Sequence, residues 1–204
     1  MKDIIVLVAD GTMLNVIEAL LQRIPFSSNT RDFASDVINN IGHDSGCYND
    51  AHEFLRPFIN QYHYALVIFD KEGCGSEDKK RVEIEDEVQA LLNKNGWLDR
   101  SSVVVIDPEL ENWIWQNSPH VERAFGWEEA TSMYKWCLAE GILAHGDQKP
   151  IRPKETMHKI LRKTRTSISS SIYKKIAQTC SYKNCTDLAF IKFINQLELW
   201  FKVP

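Results

Sequence analysis

Apolar residues run unbroken through Ile4-Ile5-Val6-Leu7-Val8-Ala9, give way at Asp10-Gly11-Thr12, and recur as Leu14, Ile17, Leu21 and Ile24. The first pattern fits a strand buried on both faces of a parallel sheet; the second fits a helix with one apolar side, stopped at Pro25. Ser35 to Ile41 reads as a weaker strand, followed by the loop Gly42-His43-Asp44-Ser45-Gly46. A short helix is expected from about residue 50 to residue 62, interrupted by Pro57. Ala65-Leu66-Val67-Ile68-Phe69 is another buried strand, running straight into Asp70-Lys71-Glu72-Gly73-Cys74-Gly75. An acidic helix follows, with Ile84, Val88, Leu91 and Leu92 inward and Gly96 as its C-cap. Ser102 to Ile106 reads as a strand, and Asp107-Pro108-Glu109 as a helix start with Asp as N-cap and Pro at the first helical position.

Strands alternating with helices at this spacing imply right-handed crossovers and a mostly parallel sheet. Beyond Trp115 the pattern is helical, at about 128–140, 153–164, 168–179 and 187–201. The expected architecture is an α/β, Rossmann-like core over residues 1–148 with a helical C-terminal part over 149–204 packed on it. Lys149-Pro150-Ile151-Arg152-Pro153 is the connection.

Charge changes this picture. The net charge is −4 over the 204 residues, yet the stretch from Lys149 to Lys183 holds ten Lys or Arg and one acid, Glu155. Lys149, Arg152, Lys154, Arg162, Lys163 and Arg165 are therefore candidate phosphate contacts, the chemistry of a nucleic-acid backbone. A solvated helical face gives the same composition. No Walker A loop, G-x-G-x-x-G turn or nucleic-acid-binding signature occurs. The five cysteines form no C-x-x-C pair, which suits free thiols in a reducing cytoplasm. No apolar run approaches the roughly 18–20 residues of a membrane span, and no signal peptide is expected ahead of the first strand. His43, Cys47 and His52 stand close together without a common zinc spacing.

Ligands of open α/β sheets bind beyond the carboxyl ends of the strands. Every predicted strand exit carries an acid there: Asp10, Asp44, Asp70 with Glu72, and Asp107 with Glu109. Such acids also cap helices, and Asp107 before Pro108 fits capping best. Gathered at one rim, they repel unless a cation offsets them, and oxygen-only ligands favour Mg²⁺ or Mn²⁺. Asp70 and Glu72, two residues apart, face the same way in extended backbone. Glu109 and Glu111 diverge on a regular helix, and Glu109, in the first turn, is the candidate of that pair.

An acid after the first strand (Asp10) and an acid-x-acid pair after a later one (Asp70, Glu72) resemble the Toprim domain of topoisomerases, primases and OLD-family nucleases. More closely, VLVAD, HDSGC, HEFLRPF, ALVIFDKEGCGSE, VVVIDPELENWIW and RPKE resemble a small bacterial family encoded in methylation-associated anti-phage defence systems. The resemblance runs from about residue 3 to the end. It implies a Toprim-like fold and a Mg²⁺- or Mn²⁺-dependent nuclease or related phosphoryl-transfer activity. Asp10, Asp70 and Glu72 would be the metal ligands; Glu109, a candidate from its place in the first helical turn rather than from the resemblance, would join them in catalysis. Asp10 stands where Toprim domains have Glu, and Glu72 where they usually have Asp, so positioning of the ion is altered. The competing expectation is a regulatory or scaffolding subunit that binds a protein partner or nucleic acid in a defence complex. A nucleotide-binding sensor at the same rim is a third.

Overall fold

The computed structural model describes residues 1–183 and 185–203, with the side chains of all of these except Phe26 and Ser27. Its parallel sheet contains β1 (Lys2–Val8), β2 (Ser35–Asn39), β3 (Tyr62–Asp70) and β4 (Ser101–Ile106), in the spatial order β2-β1-β3-β4. The β-branched runs at 4–8, 65–69 and 103–106 are fully buried, as strands covered on both faces must be. Helix α1 (Gly11–Leu21), with the short α2 (Ile24–Ser27), crosses from β1 to β2. Helix α3 (His43–Leu55) returns the chain to β3, and α4 (Arg81–Leu92) carries it on to β4. Right-handed crossovers in opposite directions put α1 on one face of the sheet and α3 and α4 on the other.

After β4 come α5 (Glu111–Ile114), α6 (Pro119–Ala124), α7 (Met133–Ala139), α8 (Pro153–Lys163), α9 (Ser170–Thr179) and α10 (Leu188–Phe201). Helix α9 lies along α1, and α10 packs on β4. Their apolar sides (Ile172 and Ile176; Phe190, Phe193 and Leu197) join the same buried cluster as the strands. The end of α10 is pinned where Arg31 N–H donates to the Phe201 carbonyl at 2.8 Å and Phe33 stacks on Phe201 at 4.2 Å. No helix of the described residues is long and apolar enough to cross a membrane.

Three expectations are corrected. The segment 43–46 is the first turn of α3, not a loop, and α3 ends at Leu55, with Pro57 in a separate 3₁₀ turn. Gly46 serves close packing there: a Cβ at this position would stand 2.5 Å from Asn40 Oδ1. Asp107 does not cap a helix. The Ile106 and Pro108 carbonyls accept from Lys71 N–H and Glu72 N–H, so the strand ladder runs on past β4 and α5 begins only at Glu111. The helix expected over 128–140 is confined to 133–139, opened by Ser132, whose side chain accepts from Lys135 N–H.

A carboxylate cluster at the switch point of the sheet

The chain leaves β1 toward one edge of the sheet and β3 toward the other, so the crevice of this fold opens between the carboxyl ends of those two strands. Val8 pairs with Ile68, and the same register carried forward sets Asp10 level with Asp70.

Asp10 is the N-cap of α1, its Oδ1 accepting from Met13 N–H at 2.8 Å. Asp44, in the first turn of α3, uses Oδ1 to accept Asp70 N–H at 2.8 Å. Burial, and then the negative charge of Asp10, hold the Asp44 carboxyl above its usual range. Asp70 closes β3, and its Oδ1 is shielded from solvent without a hydrogen-bond partner. Burial pushes its carboxyl well above the ordinary carboxylate range, and the charges of Asp44, Glu111 and Glu109 add to this; an N–H from Leu110 offsets part of it. Cys47 lies within reach of the Asp44, Asp10 and Asp70 charges; burial first, and those charges second, disfavour its thiolate.

The opposite wall is the segment after β4. Asp187, the N-cap of α10, accepts from Asn112 Nδ2 at 2.6 Å and Trp113 Nε1 at 2.9 Å. Trp115 Nε1 donates to the Pro153 carbonyl at 2.9 Å. These anchors hold Glu109 and Glu111 inward together, where a regular helix would have separated them. Both are buried, at 5% and 4% exposure. Glu109 accepts from Lys154 N–H at 3.0 Å, with Lys154 Nζ at 3.4 Å. Burial and the Glu111 charge raise its carboxyl, and Lys154 opposes them. Glu111 accepts from Tyr173 of α9 at 2.5 Å. Burial, then Glu111, push the Tyr173 hydroxyl up.

The chain turns at Lys71, so Glu72 does not share the orientation of Asp70; it is exposed at the rim, where its charge reaches Glu109 and Arg152. Asp107 is half-exposed and pairs with Lys71 at 3.6 Å. The sequence-predicted acids are thus split: Asp10, Asp70 and Glu109 fall within one cluster of charges, and Glu72 stands at its edge. Asp44, Glu111 and Tyr173 were outside the candidate set and stand inside the site. Asp44 was readable as a strand-exit acid, whereas the inward placement of Glu111 depends on anchors from Asp187 and Pro153, far along the chain.

The basic candidates divide as well. Lys149 Nζ donates to the Asn112 carbonyl at 2.6 Å; Arg152 pairs with Glu155 and Lys163 with Glu129. Arg162 and Arg165 are exposed and have no carboxylate partner among the described residues. His43 is exposed and His52 half-buried.

The donor set is oxygen-only and includes a buried, unpartnered carboxylate oxygen, which fits a hard divalent cation. As the side chains stand, no three of the described His, Cys, Asp or Glu residues form a ligand cage. Asp10, Asp44, Glu109 and Glu111 are each turned to a protein hydrogen-bond donor.

The fold and rim define an α/β protein with a four-stranded, all-parallel sheet flanked by helices and carboxylates clustered at its switch point. No family model matches the chain, and no curated protein or solved structure shows a significant match to it.

Proposed function

We propose that the crevice between β1 and β3 is a Toprim-like, Mg²⁺- or Mn²⁺-dependent phosphodiester site acting on nucleic acid in bacterial anti-phage defence. The observation that carries this reading is Asp70: a buried carboxylate oxygen without a partner, within reach of the charges of Asp44, Glu109 and Glu111. Asp70 and Asp10 would hold the cation, with Glu72 reaching in from the rim and Glu109 from the opposite wall. A bound cation supplies charge neutralisation at the phosphate and a more acidic water. The protein's own part is positional. Asp44 fixes the Asp70 backbone, Tyr173 fixes Glu111, and Lys154 sets a positive charge beside Glu109, where a phosphate oxygen of a bound strand would be held.

The test is cleavage of single- and double-stranded DNA and RNA with Mg²⁺ or Mn²⁺ by the wild type and by Asp70→Asn. The wild type is expected to cut and the variant to lose at least about a hundredfold in rate; equal cleavage by the two removes Asp70 from the site.

The engagement of Asp10 in helix capping and the solvent-facing Glu72 favour a second reading, a non-catalytic subunit that binds nucleic acid or a protein partner in a defence complex. It predicts salt-sensitive binding that Asp70→Asn leaves intact, and no turnover with any divalent cation.

A further inference from the structure

We infer that the outer edge of β2 pairs with the same edge of a second copy of the chain, joining the two parallel sheets into one. β2 ends the sheet and has a single neighbour, β1. Ile4 N–H donates to the Ala34 carbonyl at 3.1 Å and Asn40 N–H to the Val8 carbonyl at 2.8 Å. These two bonds fix the alternation along the strand, in which even-numbered residues face β1. Ser35, Val37 and Asn39 therefore turn their N–H and C=O groups outward, and no described residue hydrogen-bonds to those groups. The opposite edge is treated differently: at β4 the outward Val105 N–H is met by Glu85 at 3.0 Å. Natural sheet edges are blunted by lysines, prolines, bulges or a covering element. β2, Ser-Asp-Val-Ile-Asn in unbroken register, has no Lys, Pro or bulge. Its one charge, Asp36, is taken up within the protein by Lys2 at 2.6 Å and Tyr62 at 2.5 Å.

The occupant is a second copy because the row of outward groups complements itself. A two-fold axis through Val37 makes an antiparallel pair in which Val37 faces Val37 and Ser35 faces Asn39. Each of the three outward residues then meets an outward residue of the other copy, against two of them with the axis on Asp36 or Ile38. Asp36 stands opposite Ile38, so no like charges are opposed. The same register carried past the strand sets Ile41 level with Phe33 of the second copy. Ile41 is 87% exposed in the single chain, and this contact gives it an apolar neighbour. Strand direction reverses across the pair, so the two carboxylate clusters lie at opposite ends of the joined sheet. The inference does not rest on the function proposed for them.

The experiment is sedimentation equilibrium of the full chain between about 1 and 100 µM, on the wild type, Val37→Pro and Ile41→Lys. The wild type is expected to form a dimer with Kd below about 50 µM and nothing larger, since the two-fold closes the assembly. Val37→Pro removes an N–H that points away from β1, a position where an edge strand accepts proline, so its circular dichroism spectrum is expected to match the wild type. It takes two hydrogen bonds from the axis of the pair, and its dimer Kd is expected to rise at least about thirtyfold. Should Val37→Pro fail to fold, Ile41→Lys decides in its place: the residue is solvent-exposed and outside the ladder, and its dimer Kd is expected to rise about tenfold. Amide exchange of the wild type gives a readout without substitution, protection at Val37 and Asn39 rising with protein concentration. A wild type that stays monomeric at about 100 µM, an open series of larger species, a dimer that the folded variant leaves unchanged, or protection independent of concentration overturns the inference. Asp70→Asn is expected to dimerise like the wild type, so failure of the carboxylate site and failure of this interface are read separately.

Discussion

Asp70 stands among other carboxylates with one oxygen shielded from solvent, and its environment sets a pH dependence. Its carboxyl lies well above the ordinary range because burial and the Asp44 charge oppose ionisation. A carboxyl with a raised folded pKa binds its proton more tightly in the folded state. Its contribution to stability is fully present below the unfolded value, about 4, and is lost as pH rises through the folded value. Asp44 and Glu109, also raised, act in the same direction. Asp70→Asn removes the largest contributor, so its thermal midpoint should exceed that of the wild type at neutral pH, the gap closing toward pH ~4. Midpoints measured at several pH values, in chelator, test this; a gap that is constant with pH refutes it. Under the metal proposal, Mg²⁺ raises the wild-type midpoint at neutral pH and leaves that of the variant unmoved. Asp10 and Asp70 were legible as strand-exit acids because each ends an uninterrupted apolar run. The turn that parts Glu72 from Asp70 was not, because it depends on Glu72 N–H finding the Pro108 carbonyl across the sheet.

Among the elements, α4 and β4 are joined by a buried charge. β4 is an edge strand, and its Val105 N–H, having no neighbouring strand to pair with, donates to Glu85 of α4 at 3.0 Å. Glu85 is 3% exposed and also receives Arg81 at 2.5 Å and Lys192 of α10 at 3.0 Å, so one carboxylate ties a strand edge to two helices. Glu85→Ala leaves Val105 N–H and two cations without their acceptor. The expected loss is about 3–5 kcal/mol, read by urea unfolding; a loss under about 1 kcal/mol means solvent replaces the carboxylate. Nothing in the acidic run Glu83 to Glu87 marks Glu85 as the buried member, since the surrounding charges conceal the helical period. The strands were legible because continuous β-branched runs have few other solutions. The start of α3 was hidden because Gly42 and Gly46, which read as loop residues, are there for close packing around Asn40.

Over the whole molecule, the −13 carried outside the stretch from Lys149 to Lys183 and the +9 within it meet at the crevice. Helices α8 and α9 bring the basic stretch against the acidic rim through Lys154 with Glu109 and Tyr173 with Glu111. Internal pairing consumes part of that charge: Arg152, Lys154, Lys159 and Lys163 each face a glutamate. Cations already paired contribute little when a polyanion arrives, because they exchange one partner for another. Exposed cations without a carboxylate partner release counterions from the nucleic acid, and this sets the salt dependence. Arg162 and Arg165, at the end of α8, are of this kind. If the protein binds nucleic acid through this face, replacing both by Ala should lower affinity across sequences alike. The slope of log K against log salt should fall by about 1.4 for a single strand or 1.8 for a duplex. Arg152→Ala, which frees Glu155 as it removes a cation, should change the slope by less. Fluorescence anisotropy between about 50 and 200 mM salt resolves the difference. Equal slopes for the wild type and the Arg162/Arg165 double variant would move the nucleic-acid contact off the end of α8.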